Sequence, residues 1–201
     1  MDDALLDRLE ESGCAFHELR YSELMGVRQT LPNLWLFSDQ RNDRQLERAL
    51  MRLPRGCGFV FRHYHLPDDK RRSRFDALAK LCGARNHVMI LAGAGATARE
   101  WGAAGAYGGV AELGEYEGVA RFAAVHDAHE IALADRMGAA AMFLSPVYPT
   151  RSHPDGKVLG KSQFLQLADQ AEAPVIALGG MNAERAADLG WPRWAAIDGL
   201  S

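Results

Sequence analysis

A chain of 201 residues, 48% hydrophobic and 24% charged, is of the size that buries one large core. Its net charge of −3 gives no electrostatic footprint for nucleic acid or an anionic membrane, and no apolar run approaches the roughly 20 residues that span a bilayer. Cys14, Cys57 and Cys82 form no CxxC pair, so neither a disulfide framework nor a cysteine zinc site is expected. The start at Met1-Asp2-Asp3 lacks a signal core, and the expected location is cytoplasmic.

The opening residues read differently from the rest. Leu5, Leu6 and Leu9 mark a short amphipathic helix, and an irregular stretch runs on to Pro32. Residues 1–33 are therefore expected to be an N-terminal extension on a domain that occupies 34–201. From Leu34 the chain alternates apolar strands with amphipathic helices. Leu34-Trp35-Leu36-Phe37 is the first predicted strand. A helix with Leu46, Leu50, Met51 and Leu53 at helical spacing follows, ended by Pro54 and Gly56. Residues 58–62 are the second strand. Asp68 and Asp69 open the next helix, where acids suit the dipole, and Phe75, Leu78, Leu81 and Cys82 share one of its faces. The third strand is 87–91, with a helix around 96–101. A weak fourth strand at 106–113 is diluted by Gly108 and Gly109. Strands at 122–125, 141–144, 174–178 and 194–197 alternate with helices at 128–137, 162–171 and 182–189, the first ended by Gly138.

Eight strands, mostly separated by helices, predict a parallel sheet, and eight such units predict closure as a single α/β barrel of the (β/α)8 TIM type. An open doubly wound sheet is the alternative. The sequence stops at Ser201, directly after the eighth strand, so the last helix of the ring is expected to be missing, with the N-terminal helix as its substitute. In a barrel, chemistry sits on the loops at the C-terminal ends of the strands. That rule selects Asp39, Arg62, the 92–95 loop, His126, the 145–153 loop, Gly179-Gly180 and Gly199.

Each of these positions has a chemical reading and a plainer one. Gly179 and Gly180 lack Cβ, so their N–H groups can approach an anion; the plainer reading is a tight turn. Gly199, after the eighth strand, adds a third amide. Pro146, Pro149 and Pro154 stiffen the next loop, whose Ser145, Thr150, Ser152 and His153 are candidate substrate-binding groups; otherwise it is a solvated polar loop. His126, at a predicted strand end, is a candidate site residue, or it caps the following helix. Arg62 offers a planar, permanently charged fork to a phosphate, or it pairs with Asp39 in the barrel mouth.

Two stretches carry a family resemblance. The first runs from Gly138 through Phe143-Leu144-Ser145-Pro146-Val147-Tyr148-Pro149 to Thr150, and the second is Ala173-Pro-Val-Ile-Ala-Leu-Gly-Gly-Met181. In that order and separation they resemble the thiamine-phosphate synthase and TenI family, over residues 34–201. The resemblance implies a small phosphorylated thiazole as ligand, its phosphate at Gly179, Gly180 and Gly199. It implies substrate contacts at Asp39, Arg62, Ser145, Thr150, Ser152 and His153. Val125-His126-Asp127-Ala128-His129-Glu130 is similar to the family's Val-His-Ser-x-Glu-Glu, and in TenI-type thiazole tautomerases a histidine there shuttles the proton that aromatises the ring.

The chain departs from the synthase pattern in the half that handles diphosphate. Gln-x-Arg-x-Lys becomes Val60-Phe61-Arg62-His63-Tyr64, and Thr-x-Thr-Lys becomes Thr150-Arg151-Ser152-His153. The Ile-Asn-Asp that ends the third strand becomes Leu91-Ala92-Gly93. The fourth-strand acids are left to Glu112, Glu115 or Glu117. Magnesium is implied only if the chain is a synthase; no other cofactor and no metal ligand is expected. The favoured reading is a TenI-like tautomerase using His126. Behind it stand a divergent synthase that releases pyrophosphate and a non-catalytic binder of a thiazole or thiamine phosphate. A homo-oligomer is compatible with the chain but not written in it.

Overall fold

The computed structural model describes residues 30–113, 118–151 and 157–200. Within them the apolar runs form strands because both faces are covered: every residue of β1 (Leu34–Phe37), β2 (Gly58–Phe61), β3 (Val88–Ala92) and β6 (Ala141–Leu144) is buried. That is the signature of a parallel sheet with helices outside and a packed interior. With β4 (Gly105–Gly109), β5 (Ala120–Val125), β7 (Val175–Ala177) and β8 (Trp194–Ala196), the strands close in the order β1 to β8, β8 pairing in parallel with β1. The expected barrel is therefore the observed fold, and the open-sheet alternative is not.

Outside the sheet lie α1 (Leu46–Arg52), α2 (Asp68–Arg85), α3 (Gly95–Trp101), α4 (Val110–Leu113), α5 (Ala128–Arg136), α6 (Gly160–Ala168) and α7 (Ala183–Leu189). No helix among the described residues is long and apolar enough to cross a membrane. After β8 the chain forms a 3-10 turn, Asp198–Leu200, which the sequence reading does not anticipate. The predicted helix at residues 5–9 lies outside the described residues. Asn33, assigned by sequence to the extension, is part of the barrel: its carbonyl accepts from Trp194 N at 2.9 Å.

One predicted strand needs correction. The fourth does not run over 106–113; it ends at Gly109, and Val110–Leu113 turns into α4. The β5 ladder extends only to Gly109↔Ala124, and Glu112 Oε2 accepts from Gly109 N at 3.2 Å, closing the strand off.

The period-two alternation of the strands separates two cores. Residues such as Leu36, Phe59, Phe61 and Leu91 point outward to the helices, while Trp35, Phe37, Val60, Ile90, Phe122, Phe143 and Ile176 fill the interior. Edge-on and tilted contacts link the interior rings: Trp35–Phe122 and Trp35–Phe143 at 5.4 Å, and Phe37–Phe143 at 5.1 Å. Small residues make room for them. A Cβ on Gly58 would lie 2.1 Å from the Trp35 ring, and one on Gly105 would lie 2.6 Å from Phe122. The bulk at the centre of the barrel thus dictates glycine on the neighbouring strand, and the filled interior leaves only the rim for chemistry.

Candidate functional site

The C-terminal rim opens into a cavity of about 930 Å³. Phe37 and Tyr107 line it on the interior side, their rings 5.1 Å apart and nearly perpendicular. Of the residues singled out from sequence, Arg62, His126, Ser145, Thr150, Gly179, Gly180 and Gly199 all lie on its wall. Asp39 does not. Ser152 and His153 lie outside the described residues.

The β7 side is built from backbone. Gly179 and Gly180 hold φ of +93° and +65°, where glycine is nearly obligatory. A Cβ on Gly179 would sit 2.6 Å from Pro146 Cα, one on Gly180 2.5 Å from the Pro149 carbonyl, and one on Gly199 2.5 Å from the Met181 carbonyl. The missing Cβ atoms therefore serve first to let the loops after β6, β7 and β8 pack against one another. This differs from the sequence argument, in which the space was for an anion. The loops are also stitched by hydrogen bonds, Val147 N to the Leu178 carbonyl at 2.9 Å and Tyr148 N to the Gly179 carbonyl at 3.0 Å. Arg185 Nη1 donates to the Gly180 carbonyl, and its guanidinium lies 5.0 Å over the Tyr148 ring. The N–H groups of Gly179 and Gly180 donate to no acceptor among the described residues. Lys157, Arg151 and Arg185 add positive charge to the same wall.

His126 follows β5. Asp127 is the N-cap of α5 and accepts from Glu130 N at 2.9 Å. Glu130 folds back, as in a capping box: its Oε2 accepts from His126 N at 2.7 Å and lies 2.8 Å from His126 Nδ1. The capping role thus falls to Asp127, and His126 is the residue being held. A carboxylate only accepts, so Nδ1 carries a hydrogen, and in the neutral ring Nε2 presents the lone pair. Nε2 has no partner among the described residues, and the ring lines the cavity.

Across the mouth, Arg62 follows β2 and lines the wall. Asp39 Oδ2 lies 4.0 Å from Arg62 Nη2, at the edge of an ion pair, while Asp39 Oδ1 accepts from Arg41 N at 3.1 Å and Nε at 2.8 Å. Burial alone would raise the Asp39 pKa; the Arg41 hydrogen bonds and the charges of Arg41 and Arg62 outweigh it and hold the carboxyl below its ordinary value. Asp39 thus holds Arg41 by hydrogen bonds, with Arg62 at the edge of an ion pair, and it is not among the residues that line the cavity. Sequence reasoning missed Tyr107, Lys157 and Arg185. Burial pushes the Tyr107 phenol up to about 12, so it remains a hydroxyl donor throughout the working range.

The profile of the family described as thiamine monophosphate synthase (TMP-TENI) matches residues 34–197. The chain belongs to the thiamine monophosphate synthase family. No curated protein matches its sequence. Among solved structures, thiamine phosphate pyrophosphorylase from Pyrococcus furiosus is similar at TM-score 0.71 and 20% identity, over 89% of this chain and 87% of that one. The pyrophosphorylase from Bacteroides thetaiotaomicron gives TM-score 0.53 and 16% identity, over 83% and 82%. The YdjI aldolase from Escherichia coli K12 gives 0.58 and 9%, over 92% and 80%. At these identities the structural likeness speaks for the barrel alone.

Magnesium, as implied for the synthases of the thiamine monophosphate synthase family, needs hard oxygen donors. The ends of β3 and β4 do not supply them here. Arg71 Nη2 donates to the Ala92 carbonyl at 2.6 Å, placing a guanidinium where β3 ends. Glu112 is turned back on Gly109 N. Among the described residues no group of three His, Cys, Asp or Glu side chains can hold a metal; Glu115 and Glu117 lie outside them. The described residues do not fit a resident magnesium ion.

Proposed function

We propose that the chain is an isomerase of the thiamine monophosphate synthase family, moving a proton on a phosphorylated thiazole with His126 as the carrier. One observation supports this above others. His126 is fixed through Nδ1 by Glu130 and lines a cavity with Gly179 and Gly180, and among the described residues neither its Nε2 nor the two glycine amides have a partner. The substrate phosphate is received by those amides beside Lys157 and Arg185. Its ring lies against Phe37 and Tyr107. Nε2 takes a proton from one ring position and returns it to another, so nothing is gained or lost overall. Glu130 stabilises the imidazolium that forms in between.

The test is proton exchange: a thiazole phosphate tautomer incubated in heavy water, followed by NMR, with wild type and His126→Gln. Exchange catalysed by wild type and lost in the variant supports the reading. Equal exchange in both removes His126 from the mechanism.

A second reading is a synthase that joins hydroxymethylpyrimidine diphosphate to thiazole phosphate and releases pyrophosphate. Arg62 favours it, because this cation follows β2, separated from the β7 glycines by the two intervening strands β1 and β8, as a second anionic group requires. Thiamine phosphate formation, read as fluorescent thiochrome, tests it. Binding of thiazole phosphate with neither activity would mark a binding protein.

A further inference from the structure

Arg62 is gripped through its own backbone on both sides. Its N–H donates to Ser38 Oγ at 2.7 Å, and its carbonyl accepts from Arg71 Nε at 2.9 Å. Neither partner lines the cavity. Behind Ser38 the hydrogen bonds continue: Oγ lies 2.8 Å from His63 Nδ1, His63 Nε2 lies 2.8 Å from Asp43 Oδ1, and Asp43 Oδ1 accepts from Arg74 Nε at 2.9 Å.

The direction of this chain is fixed. The Asp43 carboxylate can only accept, so His63 Nε2 carries the hydrogen and Nδ1 accepts from the Ser38 hydroxyl. Ser38 then keeps a lone pair for the Arg62 N–H. Burial holds the His63 pKa below its ordinary value despite Asp43, in keeping with a neutral ring. The order Ser–His–Asp is not that of a nucleophile. Ser38 is fully buried and faces Nδ1 rather than Nε2, and its oxygen is already committed.

His63 also adopts φ of +42°, uncommon outside glycine although histidine is among the residues that reach it more often. Its ring is 1% exposed and stacks on Phe61 at 4.6 Å. Such conformations persist where the surroundings over-determine them, and they gather at functional sites. Here the residue with the left-handed backbone directly follows Arg62, which lines the cavity just after β2.

We infer that Ser38 and His63 are positioning residues: with Asp43 they fix the Arg62 backbone so that its guanidinium meets a second anionic group of the ligand. This rests on the reading of Arg62 as an anion-binding group of the cavity.

A double-mutant cycle separates this role from mere structure. The full chain is titrated calorimetrically with inorganic pyrophosphate, as wild type, Ser38→Ala, Arg62→Ala and the double variant. Arg62→Ala is expected to weaken binding about tenfold or more, as loss of a charge-assisted contact does. Ser38→Ala alone should weaken it about fivefold, the scale of one hydrogen bond, and should add nothing once Arg62 is gone. His63→Asn, which tolerates positive φ, should follow Ser38→Ala if it folds. An Arg62→Ala effect with no Ser38→Ala effect, or a Ser38→Ala effect equal in both backgrounds, overturns the positioning role while leaving Arg62 as a ligand. No effect of Arg62→Ala overturns both.

Discussion

His126 Nδ1 lies 2.8 Å from Glu130 Oε2, one helical turn along α5. The contact selects the tautomer, aims the ring and leaves Nε2 to the cavity. Glu130→Ala removes all three effects at once. We expect proton exchange on thiazole phosphate to fall by about tenfold or more, with stability lowered by roughly 0.5–1.5 kcal/mol for the lost hydrogen bonds. Phosphate affinity should be unchanged, because the Gly179 and Gly180 amides are not touched. NMR exchange rates and calorimetry on the same preparation check both halves; unchanged exchange would show that the Glu130 contact is only a cap.

Gly180→Ala and Gly190→Ala form a matched pair. Both glycines hold left-handed φ, +65° and +67°. A Cβ on Gly190 meets nothing within 4 Å, whereas one on Gly180 meets the Pro149 carbonyl at 2.5 Å. Gly190→Ala should cost about 1–2 kcal/mol, the backbone penalty alone. Gly180→Ala should cost more and should also weaken thiazole phosphate binding, since the loop must shift. Thermal melts and titration calorimetry read the difference. Equal losses in stability, with affinity intact, would place the phosphate elsewhere.

His87 and His63 make stability depend on pH. His87 Nδ1 accepts from Cys57 N at 3.1 Å and Nε2 donates to the Leu50 carbonyl at 2.9 Å, so the ring is neutral where it is buried. Burial lowers both histidines from their ordinary value. Above about pH 6.5 both are neutral in folded and unfolded chains, and their contribution is fully present. As pH falls below that, the unfolded chain takes up protons first, and stability is lost down through the lowered folded values. The melting temperature should be flat above neutrality and decline below it. His87→Leu should make the decline shallower; an unaltered slope would remove His87 from the linkage.

Magnesium should leave the affinity for pyrophosphate unchanged, because Arg71 occupies the end of β3 and Glu112 is held by Gly109 N. Titration with and without the ion decides it. A marked tightening would point to ligands in the stretch that holds Glu115 and Glu117.

The fold is legible because seven of the strands announce themselves as apolar runs bounded by glycine, proline or helix-starting acids. β4 is blurred by Gly108 and Gly109, and its true end depends on Glu112 turning back, which no periodicity encodes. His126, Arg62 and the β7 glycines are legible as residues at predicted strand ends. The reason for the glycines is not, since their would-be clashes are with Pro146, Pro149 and Met181 on other loops. Asp39 shares the strand-end position of Arg62, yet Arg41, two residues on, draws it off the wall. Tyr107 carried a signal, its place near the end of β4. Arg185 sat inside a predicted helix, where the strand-end rule does not look.

The contacts at Gly179, Gly180 and Gly199 join three loops backbone to backbone, whereas the opposite side of the mouth is held by the side chains of Arg71, Ser38, His63 and Asp43. The two sides therefore differ in what change they tolerate. On the glycine side almost any new side chain meets the main chain of a neighbouring loop, so that half of the rim must shift to accept one. On the arginine side the contacts run through side chains, so a substitution removes a hydrogen bond rather than driving a new atom into main chain. Substitutions are therefore better borne at the ends of β1, β2 and β3 than along the β6-to-β8 half of the rim.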